Sequence, residues 1–335
     1  MSEFIVAEGY TSPLSVRETQ RAIKFIKDTF QKELASRLNL ERISAPLIVR
    51  SDSGLNDDLN GVERKVTFDL SEFGGQMEIV QSLAKWKRTA LAQYGFAPGE
   101  GLYTDMNAIR RDDDVDNVHS IFVDQWDWEK VITREDRTLD YLKATVRDIV
   151  AAVCAAKEKV VAEYPVFKYS ICPDVFFISS QELEDLYPAL SPKEREEKIV
   201  REHRTVFITQ IGKTLKSGIR HDGRAPDYDD WELNGDLLFW NDVLDRPIEI
   251  SSMGIRVDET SLLKQLEIAG AEERLRFPYH QGIKNGTLPL TIGGGIGQSR
   301  LCLLLLEKMH VGEVQASVWP DAQRDACAKA GAPLL

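Results

Sequence analysis

Residues 291–308, TIGGGIGQSRLCLLLLEK, combine four closely spaced glycines with a lone arginine, Arg300, just before an apolar run. No frame of the segment has the three glycines of the dinucleotide-binding pattern GxGxxG, and the GKS or GKT of a phosphate-binding loop does not occur in it. A glycine such as Gly295 lets the backbone approach a flat ligand or adopt a positive φ. A firmly held Arg300 could stack on a base or pair with phosphate oxygens. A tight turn with a surface arginine explains the segment equally well, so both interpretations stay open.

Acidic and amide side chains form two further candidate groups. Asp236 and Glu249 lie on apolar runs that are predicted to pair as strands joined by a turn. Facing carboxylates are unfavourable unless a cation lies between them, and two hard oxygens together with phosphate suit Mg²⁺. Gln125 and Asp127 alternate on another predicted strand, so they would project from one face. For most such residues a solvated strand face is the alternative interpretation.

Arg110 follows a strand-like run and precedes an acidic stretch within 99–114, and the acidic segment 224–231 is expected to be a loop. The sequence therefore contains two arginines, a carboxylate pair and a glycine segment. This combination fits an ATP site that transfers a nucleotidyl or phosphoryl group, because charge develops on oxygen atoms there and needs fixed cations.

These residues must be positioned by helices that pack on a sheet. Ser15 and Glu18 form a capping-box pattern ahead of apolar residues at three- and four-residue spacing, which predicts a helix over 15–38. Pro46 interrupts the β-like run 40–49 and marks an edge, a strand end or a bulge. Further predicted helices cover 82–94, 136–164 and 192–203, and predicted strands cover 205–212, 237–241, 248–254 and 313–319. Because strands and helices do not alternate strictly, the prediction is an α+β fold with a mostly antiparallel sheet flanked by helices.

The composition limits the classes of partner that the protein is expected to bind. The chain has 335 residues and a formal net charge of −12. Nucleic-acid binding depends on neutralising phosphates with Lys and Arg, so no nucleic-acid partner is expected. No apolar run is long enough to span a membrane, and the amino-terminal residues lack a secretory signal. Four scattered cysteines without a CxxC pair predict reduced thiols and a cytoplasmic location.

The order of the motifs resembles the three signature motifs of class II aminoacyl-tRNA synthetases, closest to the aspartyl and asparaginyl branch. More specifically, the chain resembles the ammonia-dependent asparagine synthetases, the aspartate–ammonia ligase family, from about residue 15 to Trp319. The blocks that carry this resemblance are SLAKWKR (82–88), GEGLYTDM (99–106), VDQWDWE (123–129), RAPDYDDW (224–231), NGDLLFWN (234–241), EISSMGIRVD (249–258) and TIGGGIGQSRL (291–301). The resemblance implies a class II-like antiparallel sheet, a homodimer, the substrates L-aspartate, ammonia and ATP, and Mg²⁺ as the metal.

The reaction that the resemblance implies activates the side-chain carboxylate of aspartate with ATP. β-Aspartyl-AMP and pyrophosphate form, and ammonia then displaces AMP. Arg110 would hold the α-phosphate and the reacting carboxylate, and Arg300 would lie at the adenine or the γ-phosphate. Asp236 and Glu249 would hold Mg²⁺ against the phosphates.

Other residues receive their roles from the same resemblance. The expected lining of the aspartate pocket is Asp57, Ser82, Lys87, Gln125 and Asp127. Lys87 would bind a substrate carboxylate, and Asp127 or Asp229 would bind the α-ammonium group. Ser252 and Arg256 would lie beside the phosphates, and the Gly295 backbone would lie close to ATP. Asp57 is also a candidate to receive or orient ammonia.

Three alternative functions fit the sequence less well. A tRNA synthetase would need an anticodon-binding module, but the first motif begins by residue 15. A catalytically dead relative should have lost Arg110, Arg300 or the carboxylate pair. A glutamine-dependent synthetase needs an amino-terminal cysteine, whereas Ser2 follows Met1. We therefore expect one catalytic domain over 1–335, with a core at about 15–320 and neither an anticodon-binding nor a glutaminase domain.

One departure from the family pattern is that only Glu232 and Leu233 separate DYDDW from NGD. A longer connection is expected in the bacterial members. We therefore expect a shortened loop here, with part of the rim of the site either more open or covered by another segment.

Overall fold

The computed structural model describes residues 4–57, 59, 63–72 and 74–335, so Ser2 lies outside the described residues. The strands are β1 (Leu40–Arg42), β2 (Ile48–Arg50), β3 (Thr67–Asp69), β4 (Gln76–Ile79), β5 (Gly101–Ile109), β6 (Phe122–Val131), β7 (Phe176–Ser179), β8 (Thr205–Thr209), β9 (Asp229–Asn241), β10 (Arg246–Arg256) and β11 (Thr291–Gly297). The α-helices are α1 (Val16–Leu38), α2 (Ala84–Tyr94), α3 (Leu139–Glu163), α4 (Ser180–Leu186), α5 (Pro192–His203), α6 (Glu259–Ala269), α7 (Pro278–Lys284), α8 (Gln298–Leu305) and α9 (Asp321–Lys329).

Eight of the strands form one large sheet in the order β1-β5-β6-β11-β10-β9-β8-β7. The pairs β1–β5 and β7–β8 at the two edges are parallel, and the interior pairs are antiparallel. Strands β2, β4 and β3 form a small separate sheet. The prediction of a mixed α+β fold with a mostly antiparallel sheet is confirmed.

The two faces of the large sheet differ because side chains alternate along each strand. On β6, Trp126 and Trp128 are fully buried in the main hydrophobic core. Phe30 of α1 packs on Trp126 with ring centroids 4.7 Å apart. The intervening residues of β6, beginning with Gln125 and Asp127, project from the opposite face. One face of the sheet therefore carries the core, and the other is available for polar chemistry.

The predicted helices are confirmed within a few residues. Ser15 caps α1 and exchanges hydrogen bonds with Glu18, as the capping box requires. Pro46 separates β1 from β2, and these two strands belong to different sheets, so the run 40–49 is two strands rather than one. None of the helices in the described part of the chain is long and apolar enough to cross a membrane.

Three local predictions were wrong. The predicted strand 313–319 is a short 3-10 helix, Val311–Glu313, followed by irregular chain. The segment 224–231 is not wholly a loop, because Asp229 begins β9 and its side chain is buried. Glu232 and Leu233 lie inside that same strand, so no loop connects DYDDW to NGD. Sequence patterns failed here because a buried strand rich in Asp looks like a turn unless its charged partners are known.

Candidate functional site

The polar face of the sheet holds two adjoining cavities of about 270 Å³ and about 70 Å³. We call them the outer and the inner cavity. Both are lined by Arg110, Gln125, Tyr228, Ser252 and Gly295. A third cavity, of about 510 Å³, lies beside Trp231 and contains none of the predicted site residues. The site is therefore identified by the residues that line it and not by size.

All thirteen predicted site residues line one or both of the two adjoining cavities. Lining the inner cavity alone are Asp57, Ser82, Lys87, Asp127, Asp229 and Arg256. Lining the outer cavity alone are Asp236, Glu249 and Arg300, and the shared lining contains Arg110, Gln125, Ser252 and Gly295. These residues come from segments far apart in the chain, so the fold brings the predicted set together.

Lys87 is held at the floor of the inner cavity by four oxygen groups. It projects from α2, is fully buried, and forms an ion pair with Asp127. Its ammonium also donates to the carbonyl oxygens of Trp128 at 2.9 Å and Gly294 at 3.3 Å, and it lies 3.6 Å from Glu129. Burial raises the pKa of the Asp127 carboxyl although Lys87 opposes this shift. Lys87 and Asp127 line the inner cavity as this buried ion pair.

Arg256 organises the wall of the inner cavity. Its Nε donates to Glu129 Oε1 at 3.0 Å, its Nη2 donates to Glu129 Oε2 at 2.7 Å, and its Nη1 donates to Asp229. Thr291 donates a further hydrogen bond to Glu129 at 2.7 Å. Burial acts to raise the pKa of Glu129, but Arg256 and Lys87 outweigh it and keep that pKa below its ordinary value.

The expected role of Arg256 beside the phosphates stays a prediction. Arg256 was expected beside the phosphates, whereas it lines the inner cavity and not the outer one. Each of its guanidinium nitrogens already donates to a carboxylate. The geometry fits an arginine that fixes Glu129 and Asp229 better than one that receives a phosphate.

The glycine-rich segment is β11, a strand in the middle of the sheet rather than a loop, and its last residue, Gly297, is the N-cap of α8. None of its glycines has a positive φ. Three of its four glycines instead leave room that neighbouring atoms occupy. A Cβ at Gly293 would lie 2.6 Å from Cδ of Glu129, one at Gly295 would lie 2.7 Å from Cδ of Gln125, and one at Gly294 would lie 2.8 Å from the carbonyl oxygen of Ser252. Side chains of the site therefore occupy the space at Gly293 and Gly295, and the neighbouring strand β10 occupies it at Gly294.

The outer cavity carries Arg300 and the predicted carboxylate pair. Arg300 lies in the first turn of α8, where its guanidinium donates to the carbonyl oxygens of Val118 at 3.1 Å and Glu249 at 3.2 Å. In the hairpin, Asp236 pairs with Ser252 and Glu249 pairs with Leu238, so the two carboxylates are diagonal neighbours rather than directly opposite. Burial, with a contribution from Glu249, raises the pKa of Asp236 although Arg224 opposes it.

Asp236 and Glu249 fit a magnesium ion in the chemistry of their donor atoms. Both present hard carboxylate oxygens to the outer cavity, and their mutual repulsion would be relieved by a divalent cation. Within the described ranges no three His, Cys, Asp or Glu side chains gather into a metal site. Mg²⁺ commonly binds to one or two carboxylates together with substrate phosphates, and these two residues would suffice for that mode.

A buried polar cluster lies behind Asp57. Lys85 forms an ion pair with Asp227 at 2.8 Å, and the same Asp227 oxygen accepts from His280 at 2.9 Å and Arg274 at 3.0 Å. Burial acts to raise the pKa of Asp227, but these groups, Lys85 first, hold it well below its usual range. By contrast, burial raises the pKa of Asp57, and Asp227 adds to that effect while Lys85 and Arg110 oppose it.

Sequence reasoning missed three residues of the site. Glu129 alternates with Gln125 and Asp127 on β6, so the same alternation argument could have included it. Arg224 contacts Ser252, lies 2.6 Å from Asp236, and lines the outer cavity. Tyr228 lines both cavities and stands in the same block, RAPDYDDW. The only available signal for the last two was an arginine and a tyrosine inside an acidic segment that had been interpreted as a loop.

The chain is similar to known proteins along nearly its whole length. The profile of the family described as aspartate-ammonia ligase matches residues 17–331. The aspartate–ammonia ligase of Levilactobacillus brevis is 57% identical over 332 residues, which are 99% of each chain. That of Ruminiclostridium cellulolyticum is 55% identical over 336 residues and covers both chains completely.

Among solved structures, the fold is similar to that of asparaginyl-tRNA synthetases. The Entamoeba histolytica enzyme in complex with asparaginyl-adenylate has a TM-score of 0.65 at 16% identity, with 90% of this chain and 66% of that chain covered. The Pyrococcus horikoshii enzyme complexed with asparaginyl-adenylate has a TM-score of 0.65 at 17% identity, with 90% and 70% covered. This chain thus spans about two thirds of the length of those chains, and the likeness establishes the class II synthetase fold.

We predict that Gly294→Ala lowers the free energy of unfolding by about 1–3 kcal/mol, because the new methyl group would meet backbone atoms that cannot move aside cheaply. Gly297→Ala is the matched control, because the atom nearest to its new Cβ would be Cβ of Arg300 at 3.3 Å. The free energy of unfolding should fall clearly less in this variant than in Gly294→Ala. Urea unfolding of both variants measures the difference. Equal stability of the two variants would contradict the packing argument.

We predict that Asp227→Asn destabilises the fold at pH 7 by about 3–5 kcal/mol, because Lys85 would keep a buried charge without its partner. The folded pKa of Asp227 lies below the unfolded one, so its stabilisation is present above the unfolded pKa of about 3.9 and is lost as pH falls through the folded pKa. The difference from the parent protein should therefore shrink below about pH 4.

The matched control for that prediction is Asp245→Asn, which removes the exposed ion pair with Arg201. It should change the unfolding free energy by less than about 1 kcal/mol at any pH. Urea titrations at several pH values give both results. A loss in Asp227→Asn that stays constant down to pH 2 would show that the charge of Asp227 is not the cause.

Proposed function

The chain belongs to the aspartate–ammonia ligase family, and from that premise we propose that its outer cavity binds ATP and its inner cavity binds aspartate. The enzyme converts L-aspartate and ammonia to L-asparagine. The side-chain carboxylate of aspartate attacks the α-phosphorus of ATP, the bond to the β-phosphate breaks, and pyrophosphate leaves. Ammonia then attacks the carbonyl carbon of β-aspartyl-AMP, loses a proton, and AMP leaves with the electrons of its C–O bond.

The single observation that carries this assignment is the shared lining of the two cavities. Arg110, Gln125 and Ser252 border both of them. A nucleotide in the outer cavity and an amino acid in the inner cavity would meet at these residues. That junction is where an acyl-phosphate linkage must form.

Arg110 is the group best placed to stabilise the transition state. Its Nε donates to the carbonyl oxygen of Gln81 at 3.3 Å, which anchors the guanidinium. Its two terminal nitrogens have no hydrogen-bond partner among the described residues, so they are available to oxygens of substrate. Fixed donors directed at developing oxygen charge are among the largest contributions to catalysis.

Lys87 and Asp127 fit the recognition of a zwitterion. In the absence of substrate they pair with each other at the inner cavity. Aspartate would exchange this internal pair for two new ones, with one of its carboxylates on Lys87 and its α-ammonium group on Asp127 or Asp229. Ser82, whose hydroxyl accepts from the Ala84 amide at 3.1 Å, completes that side of the pocket.

At the nucleotide end, Arg300 is the proposed partner of the adenine or the γ-phosphate, and Ser252 and the Gly295 backbone lie where the phosphates would pass. Asp236 and Glu249 would hold Mg²⁺, which neutralises phosphate charge when it is bound. Gln125 is assigned to the reacting centre because it borders both cavities. Asp57 is assigned to the incoming ammonia.

We also propose that residues 1–335 act as one catalytic domain, in the cytoplasm, as a homodimer without a nucleic-acid partner. The net charge of −12 supports the last point, and the class II-like fold supports the dimer. Light scattering should give twice the monomer mass of 37.9 kDa. A single-chain mass at micromolar concentration would contradict the dimer.

The reaction is tested by incubating the purified protein with aspartate, ATP, Mg²⁺ and ammonium. Asparagine, AMP and pyrophosphate should appear in equal amounts, and glutamine in place of ammonium should give no asparagine. Removal of Mg²⁺ with a chelator should stop AMP formation. Release of ADP and phosphate instead of AMP and pyrophosphate would overturn the adenylate mechanism.

Arg110→Ala should reduce aspartate-dependent exchange between ATP and pyrophosphate by about 10²–10³-fold, because one fixed donor to the developing charge is lost. Arg111→Ala is the matched control, since Arg111 is the adjacent arginine, is exposed and lines neither cavity. Its exchange rate should stay close to that of the parent enzyme. Exchange that survives in Arg110→Ala would refute the role given to Arg110.

A further inference from the structure

Two buried amides, Asn56 and Gln81, hold Asp57 in place, and neither was among the predicted site residues. Asp57 itself is fully buried and lines the inner cavity. Its Oδ1 accepts from the Leu59 amide at 3.0 Å. Its Oδ2 accepts no hydrogen bond from any described residue. A carboxylate oxygen without a donor, at the wall of a substrate cavity, is available to an N–H group of a ligand.

Asn56 uses its whole hydrogen-bonding capacity on two segments. Its side-chain oxygen accepts from the amides of Asp57 at 3.0 Å and Gln81 at 2.8 Å. Its side-chain nitrogen donates to Glu78 at 2.9 Å and to the carbonyl oxygen of Ile79 at 3.1 Å. An asparagine side chain offers two donors and one acceptor oxygen with two lone pairs, so no other residue type of that size could make all four bonds. Asn56 thereby ties the backbone at Asp57 to the end of β4.

Gln81 contacts both catalytic candidates through different atoms. Its side-chain Nε2 donates to the carbonyl oxygen of Asp57 at 2.9 Å. Its main-chain carbonyl accepts from Nε of Arg110 at 3.3 Å. A substitution of Gln81 removes the first bond and keeps the second, because every residue has a main-chain carbonyl. The side chain of Gln81 thus holds Asp57, whereas its main-chain carbonyl anchors Arg110.

The reaction has two half-reactions, adenylation of aspartate and attack by ammonia. They depend to different extents on the contacts of Gln81 with Asp57 and with Arg110. Adenylation of aspartate requires Arg110, whereas attack by ammonia requires an acceptor that orients the nucleophile or takes its proton. We propose that Asn56 and the side chain of Gln81 are positioning residues for the ammonia half-reaction: they hold Asp57 so that its free oxygen accepts an N–H of the incoming ammonia. This inference rests on the proposed ligase function and on the assignment of Asp57 to ammonia.

The test uses Gln81→Met, which keeps the volume of the side chain and removes its donor. Aspartate-dependent exchange between ATP and pyrophosphate needs no ammonia and should stay close to the parent rate. The kcat/KM for ammonium should fall about tenfold, which corresponds to about 1.4 kcal/mol. The KM for aspartate should not change. A purely structural defect would lower the exchange and the ammonia step together.

Two further variants keep the test decisive. Gln81→Glu preserves the shape but places an acceptor where the Asp57 carbonyl needs a donor, so it should show the same split if Gln81→Met does not fold. Gln323→Met is the matched control, because Gln323 also donates from Nε2 to a main-chain carbonyl, that of Val115 at 2.8 Å, and lines neither cavity. Both of its half-reactions should match those of the parent enzyme.

The possible outcomes separate this inference from the function on which it rests. Loss of the ammonia step with exchange retained supports the positioning role. A parallel loss of both steps, or no change in either, overturns that role while the parent enzyme still makes asparagine. A parent enzyme that shows no aspartate-dependent exchange overturns the ligase mechanism itself, and the inference with it.

Discussion

The site depends on one arrangement of buried charge, in which Arg256 lies between Glu129 and Asp229 while Lys87 pairs with Asp127. All five side chains are almost completely buried, and an unpaired charge in such a place would cost several kcal/mol. The pairing therefore fixes the relative position of β6, β9, β10 and α2. In each of these ion pairs the two partners lie on different strands or helices. The sheet and the inner cavity therefore form together when the chain folds. The aspartate proposed to bind in the inner cavity would therefore meet charges that the fold has already placed.

The glycine strand follows from the same constraint. Glu129 and Gln125 fill the space above Gly293 and Gly295, so a central strand of the sheet has to lack side chains there. In this site the polar side chains determine which positions of the neighbouring strand must be glycine. The opposite face of β6 is packed like an ordinary hydrophobic core, because Trp126 packs on Phe30 there. One strand therefore carries core packing on one side and the polar side chains of the candidate site on the other.

Much of this could be predicted from the sequence, and the reasons for the failures are physical. Helices such as α1 can be predicted from their capping residues and from the spacing of their apolar residues. That Gln125 and Asp127 share one face of a strand can be predicted from strand alternation. The strand beginning at Asp229 could not be recognised, because its acidic residues are stabilised by arginines distant in sequence, Arg256 and Arg137. The glycines of β11 were expected to provide conformational freedom or close access to ATP. That Gly293 and Gly295 leave room for side chains can be seen only from the residues that pack against them in the folded protein. The role of Asn56 was equally hidden, because its four bonds are visible only in three dimensions.

The short strands at the edges of the sheet have a consequence for behaviour at high concentration. The large sheet is open, and its outermost strands, β1 and β7, have three and four residues. A long exposed edge is a template on which another chain can add a strand and start an aggregate. Edges this short leave few unpaired N–H and C=O groups in a row. We therefore expect β1 and β7 themselves to be poor templates for fibril-like growth, at the ends of the same sheet whose centre carries the candidate site.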